Sequence, residues 1–271
     1  MALLLSVMLL TGCSSWTKPV SVSGDADPPL TTLRGVELLL LGERHDAPEH
    51  PGLQRQVVQA LSARGTLAAV ALEMAEAGTS SAGLPIDASE AQVRAALRWH
   101  DAAWPWTRYG PVVMAAVQAG VPVAGANLPR EQLRAAMQDA TLDERLPPAE
   151  FARQQQQIRY AHCGLLPAAQ ILPMTRVQIA RDRAMADTLA RLRQPGRTVL
   201  LIAGGHHVRR DLGVPTQLPA GTSLQVVQAL PGPRAETDRE GLAADDLLWP
   251  TPALPERDAC AELRRGWPAP R

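Results

Sequence analysis

The sequence predicts an α/β fold, an open, mainly parallel sheet with flanking helices and a helical cap insertion, on three observations. Four short, nearly uninterrupted apolar runs recur at residues 36–41, 67–72, 121–126 and 198–203. Runs without alternation belong to strands covered on both faces, as in parallel sheets. Segments with helical spacing lie between them, such as Leu53, Val57, Ala60 and Leu61 before Gly65, and Val112, Ala115, Ala116 and Ala119 before Gly120. Each closes on a glycine suited to a helix C-terminus. Finally, every run is followed at once by polar residues, and strand, helix, strand in alternation argues for right-handed crossovers.

Taken in order, residues 1–10 form an apolar run too short for a membrane-spanning helix, which needs about 20 residues. They are followed by Thr11-Gly12-Cys13-Ser14. This resembles the lipobox of bacterial lipoproteins, so 1–13 reads as a signal peptide and Cys13 as the lipid-bearing residue, giving the protein a bilayer as partner. Ser14 rather than Asp resembles the sorting pattern for the outer membrane, with the protein facing the periplasm. Residues 14–30, polar with Gly, Asp and Pro, are a tether, and a folded domain is expected over 31–230. After the third run, helical patterns fill a stretch too long for one crossover, and a cap is expected at about 128–195. Residues 223–230 suggest a last strand. The Pro-rich extension at 231–271 is expected to wrap the surface or stay loose.

If the strands share one sheet, their carboxyl ends share one edge, where ligands bind in open α/β folds. Glu43 and His45 follow the first run, Glu73 the second, Asn127 the third and His206-His207 the fourth. Two carboxylates and two imidazoles in one crevice can divide acid and base roles or hold a divalent metal. Glu43 and His45, two apart, share a side on an extended strand; of two adjacent histidines only one can point inward. The alternative is a buried network that ties loops together, with Glu43 paired to Arg44 or Arg181.

Composition excludes other classes. Twenty-seven Lys and Arg against 27 Asp and Glu leave no net charge, so the footprint of a nucleic-acid binder is missing. Lys18 is the only lysine, which removes Schiff-base chemistry and the P-loop from the folded part. No GxSxG, HExxH, GxGxxG, CxxC or CxxCH occurs, so serine hydrolases, zincins, dinucleotide enzymes and covalent haem attachment lose support. Cys163 and Cys260 either pair in an oxidising compartment or stay free, as a buried thiol or with Cys163 beside a ligand site.

An ordered set of segments resembles one family: Leu41-Gly42-Glu43-Arg44-His45-Asp46, Leu72-Glu73-Met74, Trp104-Pro105-Trp106 with Tyr109, Asn127-Leu128-Pro129-Arg130, Ala161-His162-Cys163-Gly164, Gln178 with Arg181-Asp182, and Gly204 to His207. It is similar to the ChaN-like haem-binding lipoproteins, of the superfamily that also holds the Tiki and TraB proteins and the erythromycin esterases. The resemblance implies non-covalent haem b as cofactor, haem uptake or iron acquisition as role, an outer-membrane receptor or transporter as partner, and a homodimer.

Haem needs an axial ligand, apolar walls and cations for its propionates. Tyr160 is the first choice for the iron, since a phenolate suits ferric iron, and His162 the second. Met174 contributes to the wall, and Arg153 and Arg159 face the carboxylates. Residues i and i+2 diverge on a helix, so Tyr160 and His162 serve one haem only if the helix ends near Gly164 or a second subunit takes part. Trp104 and Trp106 are expected to pack, and Tyr109 can line the crevice instead. Should the protein be an enzyme, Glu43, His45, Glu73 and His207 are its catalytic residues, and the resemblance implies a hydrolase of the erythromycin esterase or Tiki type.

Overall fold

The computed structural model describes residue 30, residues 32–233 and residues 236–267. Cys13, the leader and the tether up to residue 29 lie outside the described residues. The apolar runs form β1 (Leu38–Glu43), β2 (Leu67–Glu76), β3 (Val123–Asn127), β4 (Thr198–Gly204) and β5 (Leu224–Pro231), and a further strand, β6 (Leu247–Thr251), follows. All six pair in parallel, in the order β3-β2-β4-β1-β5-β6. β1 and β4 are buried at every position, which is why their sequences do not alternate.

Three helices cover one face: α1 (His50–Ala63), α2 (Glu90–Ala96) and α3 (Trp106–Gln118). Val57 and Leu61 of α1 and Val113 and Ala116 of α3 share a core with Leu39, Leu41, Leu72 and Ile202. Three more fill the stretch before β4: α4 (Leu133–Gln138), α5 (Pro148–Ala161) and α6 (Ala168–Leu192). Met185, Ala186 and Leu189 of α6 pack on Leu38, Leu40, Ala71 and Leu201, the strand residues that alternate with the first set. The early part of α6 does something else. Val177 and Ile179 join Ala136, Leu142 and Leu146 in a separate small core. The insertion is therefore a cap at one end and the second cover of the sheet at the other. A helix of 25 residues, about 37 Å long, reaches far enough to do both.

Beyond residue 230 the chain departs from the surface-wrapping or loose extension expected of it. β6 adds to the sheet, and Trp249 enters the main core. Proline cannot donate to a ladder, and Pro250 is accommodated because β6 is an edge strand, where that donor is dispensable. The helix α7 (Ala259–Gly266) follows and buries none of its residues. Of the two alternatives for Cys163 and Cys260, the structure shows the disulfide, with Cα atoms 5.5 Å apart, fixing α7 to the turn after α5. Among the described residues no helix is long and apolar enough to cross a membrane.

An eight-residue helix without a buried face is marginal by itself. Reduction of the disulfide is expected to release α7 and leave the sheet folded. Hydrogen exchange checks this: amides over 259–266 should then exchange as in an open chain, while those of β1 and β4 stay protected.

Candidate functional site

The carboxyl ends of β1, β4 and β2 lie side by side, and the residues expected there meet. His45 Nδ1 lies 2.7 Å from Glu43 Oε1. The Tyr109 hydroxyl donates to the same oxygen at 2.7 Å, and Gln54 Nε2 donates to the other. Glu73 accepts from the Gly204 N–H at 2.7 Å. Its two oxygens face His45 Nε2 at 3.6 Å and His207 Nε2 at 3.5 Å. His207 Nδ1 in turn lies 2.6 Å from Asp182 Oδ1. Carboxylate and imidazole alternate along the row Glu43, His45, Glu73, His207, Asp182. His207 is the inward member of its pair and His206 is exposed. Asn127 Nδ2 donates to the Glu73 carbonyl at 2.9 Å, so it positions the strand end.

Burial opposes charge on His207, but Glu73 and Asp182 outweigh it and raise the imidazole to about 10. Burial also acts to raise Glu73, yet His207, His45 and the Gly204 N–H bring it down to about 2. Asp182 is pushed up to about 6 by burial, against the pull of His207. Burial lowers His45 less than Glu43 and Glu73 raise it, so it too lies above the ordinary imidazole value. Burial and the Glu43 carboxylate hold the Tyr109 phenol well above its usual range, so it remains a donor. At neutral pH Glu73 is an anion flanked by a permanent imidazolium on one side and a titratable imidazole on the other. The expectation of a divalent metal meets no suitable donor set. Among the described residues no group of three or more His, Cys, Asp or Glu is arranged to hold one.

The other expected residues sit on the hairpin of α5 and α6. Tyr160, in the last turn of α5, is 66% exposed, and Gln156 Nε2 donates to its oxygen at 2.9 Å. His162 caps the helix, with Nδ1 2.8 Å from the Ile158 carbonyl. That nitrogen therefore carries the hydrogen, and Nε2 keeps a lone pair. Arg153 and Arg159 are exposed, and Met174 is half-buried on α6. The start of α6 is ten residues before Gln178, about 15 Å along the helix, and Gln178 touches His207. The two sets of candidates are separate places.

The profile of the family described as haem-binding uptake, Tiki superfamily, ChaN matches residues 30–218. The chain belongs to this family. Among solved structures, the ChaN-family chain resembles one described as cofacial heme binding to ChaN of Campylobacter jejuni, with a TM-score of 0.61 and 23% identity over 76% of this chain and 86% of that one. That likeness bears on the fold. A weaker one, to the type III effector HopBA1, has a TM-score of 0.47 and 12% identity over 86% of this chain and 95% of the other. No curated protein matches the sequence.

Within this ChaN-family chain some side chains lie elsewhere than expected. Glu43 pairs with neither Arg44 nor Arg181; Arg44 bonds Asp46 at 3.0 Å instead, and Glu43 is served by three donors. Trp106 packs as expected, its Nε1 donating to Glu90 at 2.7 Å. Trp104 packs against the main core as expected, and its ring also stands edge-on to His45 at 4.9 Å. Gln54 and Asp182 were not foreseen as partners in the cluster. Each is a polar residue fully buried on a helix, and Asp182 lies four residues after Gln178, hence on one helical face. That spacing was the available signal.

Because His207 lies above its ordinary 6.5, its contribution to stability is full below that pH and is lost as pH rises toward 10. The melting temperature of the native chain should fall across this window, and that of His207→Gln should not. The native ring resonances are expected to keep imidazolium shifts to about pH 8; a midpoint near 6.5 would refute the assignment.

Proposed function

We propose that the chain is a haem-binding lipoprotein for iron acquisition or haem uptake, anchored through Cys13 to the outer membrane and facing the periplasm. The observation that carries the haem reading is the exposure of Tyr160 at the end of α5, in a chain of a haem-binding family. A phenolate oxygen is a hard anionic donor suited to ferric iron. Leu165 and Leu166 on the same hairpin are half-buried and Leu172 is exposed, which gives the donor apolar surroundings. The residues fit the group. Tyr160 would hold the iron of a non-covalent haem b, and His162 would be the second donor, its free Nε2 oriented by the Ile158 carbonyl. Arg159 serves a propionate and Met174 the wall. Bound haem supplies the iron that the protein carries. α5 ends at Ala161, so Tyr160 and His162 are not held to divergent faces of one continuing helix.

A flat macrocycle on an exposed face keeps one side in water unless a second copy covers it, so the reading includes a homodimer formed on haem. The cofacial heme binding described for the Campylobacter jejuni chain supports it. Transfer of haem from or to an outer-membrane receptor or transporter is the partnership this role implies. Titration of haem into protein lacking residues 1–13 is expected to give a saturable Soret shift and a doubling of size in solution. Tyr160→Phe should move the band; an identical spectrum in that variant removes Tyr160 as ligand.

A second reading, hydrolysis at the strand ends, is favoured by one observation, the Glu73 carboxylate between two imidazoles that are each backed by a further carboxylate. There His207, raised to about 10, is an electrostatic partner rather than a base at neutral pH, which leaves Glu73 or the half-exposed His45 to activate water. On this reading Glu73→Gln abolishes turnover of an ester or peptide while haem binding survives. Unchanged turnover would sink it.

A further inference from the structure

Glu73 borders a cavity of 450 Å³ enclosed by the ends of β2 and β3, the loop that carries Trp104, and α6. Three arginines line it, Arg98, Arg130 and Arg181; Arg98 and Arg130 are exposed, and Arg130 Nη1 lies 3.2 Å from His100 Nε2, which lines the same cavity. Among the described residues none of the three makes a salt bridge. The cavity also holds two carboxylates. Glu73 is balanced by His207 and His45, and Glu76 accepts the Arg130 backbone N–H at 3.1 Å. Positive charge is left over.

Two of the residues that line this cavity carry a buried side-chain atom without a hydrogen-bond partner: Arg181 Nε, a donor, and Asn127 Oδ1, an acceptor. The Asn127 amide cannot turn over without cost, because its nitrogen is committed to the Glu73 carbonyl. Leaving such groups unpaired is costly. A ligand that satisfies both must bring an acceptor to the arginine and a hydroxyl to the asparagine.

Arg98 adds a third observation. It occupies the left-handed position after α2, at φ 46°, in the closing turn made by Trp99 N–H to the Arg94 carbonyl and Arg98 N–H to the Ala95 carbonyl. Glycine is the usual occupant of that position, and a side chain there is strained. Here the position carries an arginine that lines the cavity.

We propose that this cavity binds a small hydroxylated anion, a hydroxycarboxylate or a sugar phosphate in class. Arg98, Arg130 and Arg181 take the anionic group, and Asn127 Oδ1 accepts from the hydroxyl. The site is independent of the haem reading and lies on another part of the molecule.

The test is calorimetric titration of the full chain in mild detergent with citrate, with tricarballylate, which is citrate without its hydroxyl, and with glycerol 3-phosphate. Citrate or glycerol 3-phosphate is expected to bind saturably with Kd below about 1 mM. Arg181→Gln should weaken that binding at least about tenfold, the value of a charge-assisted hydrogen bond. Arg98→Gly should weaken it as well while leaving the melting temperature equal or higher, since glycine relieves the left-handed residue, so loss of the fold cannot imitate loss of the site. If citrate is the tighter ligand, tricarballylate should be weaker. Absence of saturable binding by both anions overturns the proposal, as does binding that survives both substitutions. The Soret titration of the same variants should match the native chain. A lost Soret shift in Arg181→Gln assigns the arginines to haem and likewise overturns it.

Discussion

A carboxylate buried at the end of β2 must find its counter-charge inside the protein, and the edge of the sheet is arranged to provide it. The strand order makes this possible. β4 lies between β2 and β1, so His45, carried beyond β1, reaches Glu73 only across the end of β4. The residue level with Glu43 on β4 is Gly204. A Cβ at that point would stand 2.8 Å from His45 Nε2, and the glycine's own N–H serves Glu73 directly. His207, three residues on, closes from the other side. Removing one partner of a buried ion pair costs about 3–5 kcal/mol, so the cluster is bound up with the stability of this edge as well as with whatever chemistry it performs.

Much of this was legible because it follows from local rules. Strands covered on both faces leave unbroken apolar runs, and the parallel arrangement that such runs imply sends their ends to one edge; Glu43, His45, Glu73 and one of His206 and His207 follow without further information. What could not be read is the side-chain partnership that depends on distant helices. Gln54 on α1 and Asp182 on α6 meet the cluster only after each helix has docked on its own face of the sheet. The aromatic loop shows the same limit. Trp104 and Trp106 are two apart in one short motif, yet one faces His45 and the other is buried beside Glu90. β6 was hidden for a different reason, since its proline is tolerated only at an edge whose existence no local pattern announces.

The long helix α6 connects the regions on which the functional readings rest. Met174 belongs to the hairpin, Gln178 and Asp182 to the histidine cluster, Arg181 to the arginine-lined cavity, and Met185 and Leu189 to the core. One rigid element thus sets the spacing between an exposed tyrosine and a buried network. The tyrosine is exposed on the hairpin, and Glu43, Glu73, His207 and Asp182 of the network are buried. Those environments suit different work, a large flat ligand in the first and small polar chemistry in the second.

The disulfide spans 97 residues, and the closed loop contains β4, β5 and β6. In the folded chain its two sulfur atoms meet because α6 has docked, β4 lies between β1 and β2, and the last two strands add to the edge in register. A strand slipped by one residue would turn its side chains to the opposite face and carry Cys260 away from Cys163. The bond thus ties the far edge of the sheet back to the hairpin of α5 and α6, so that the last strands and the cap belong to one covalent ring.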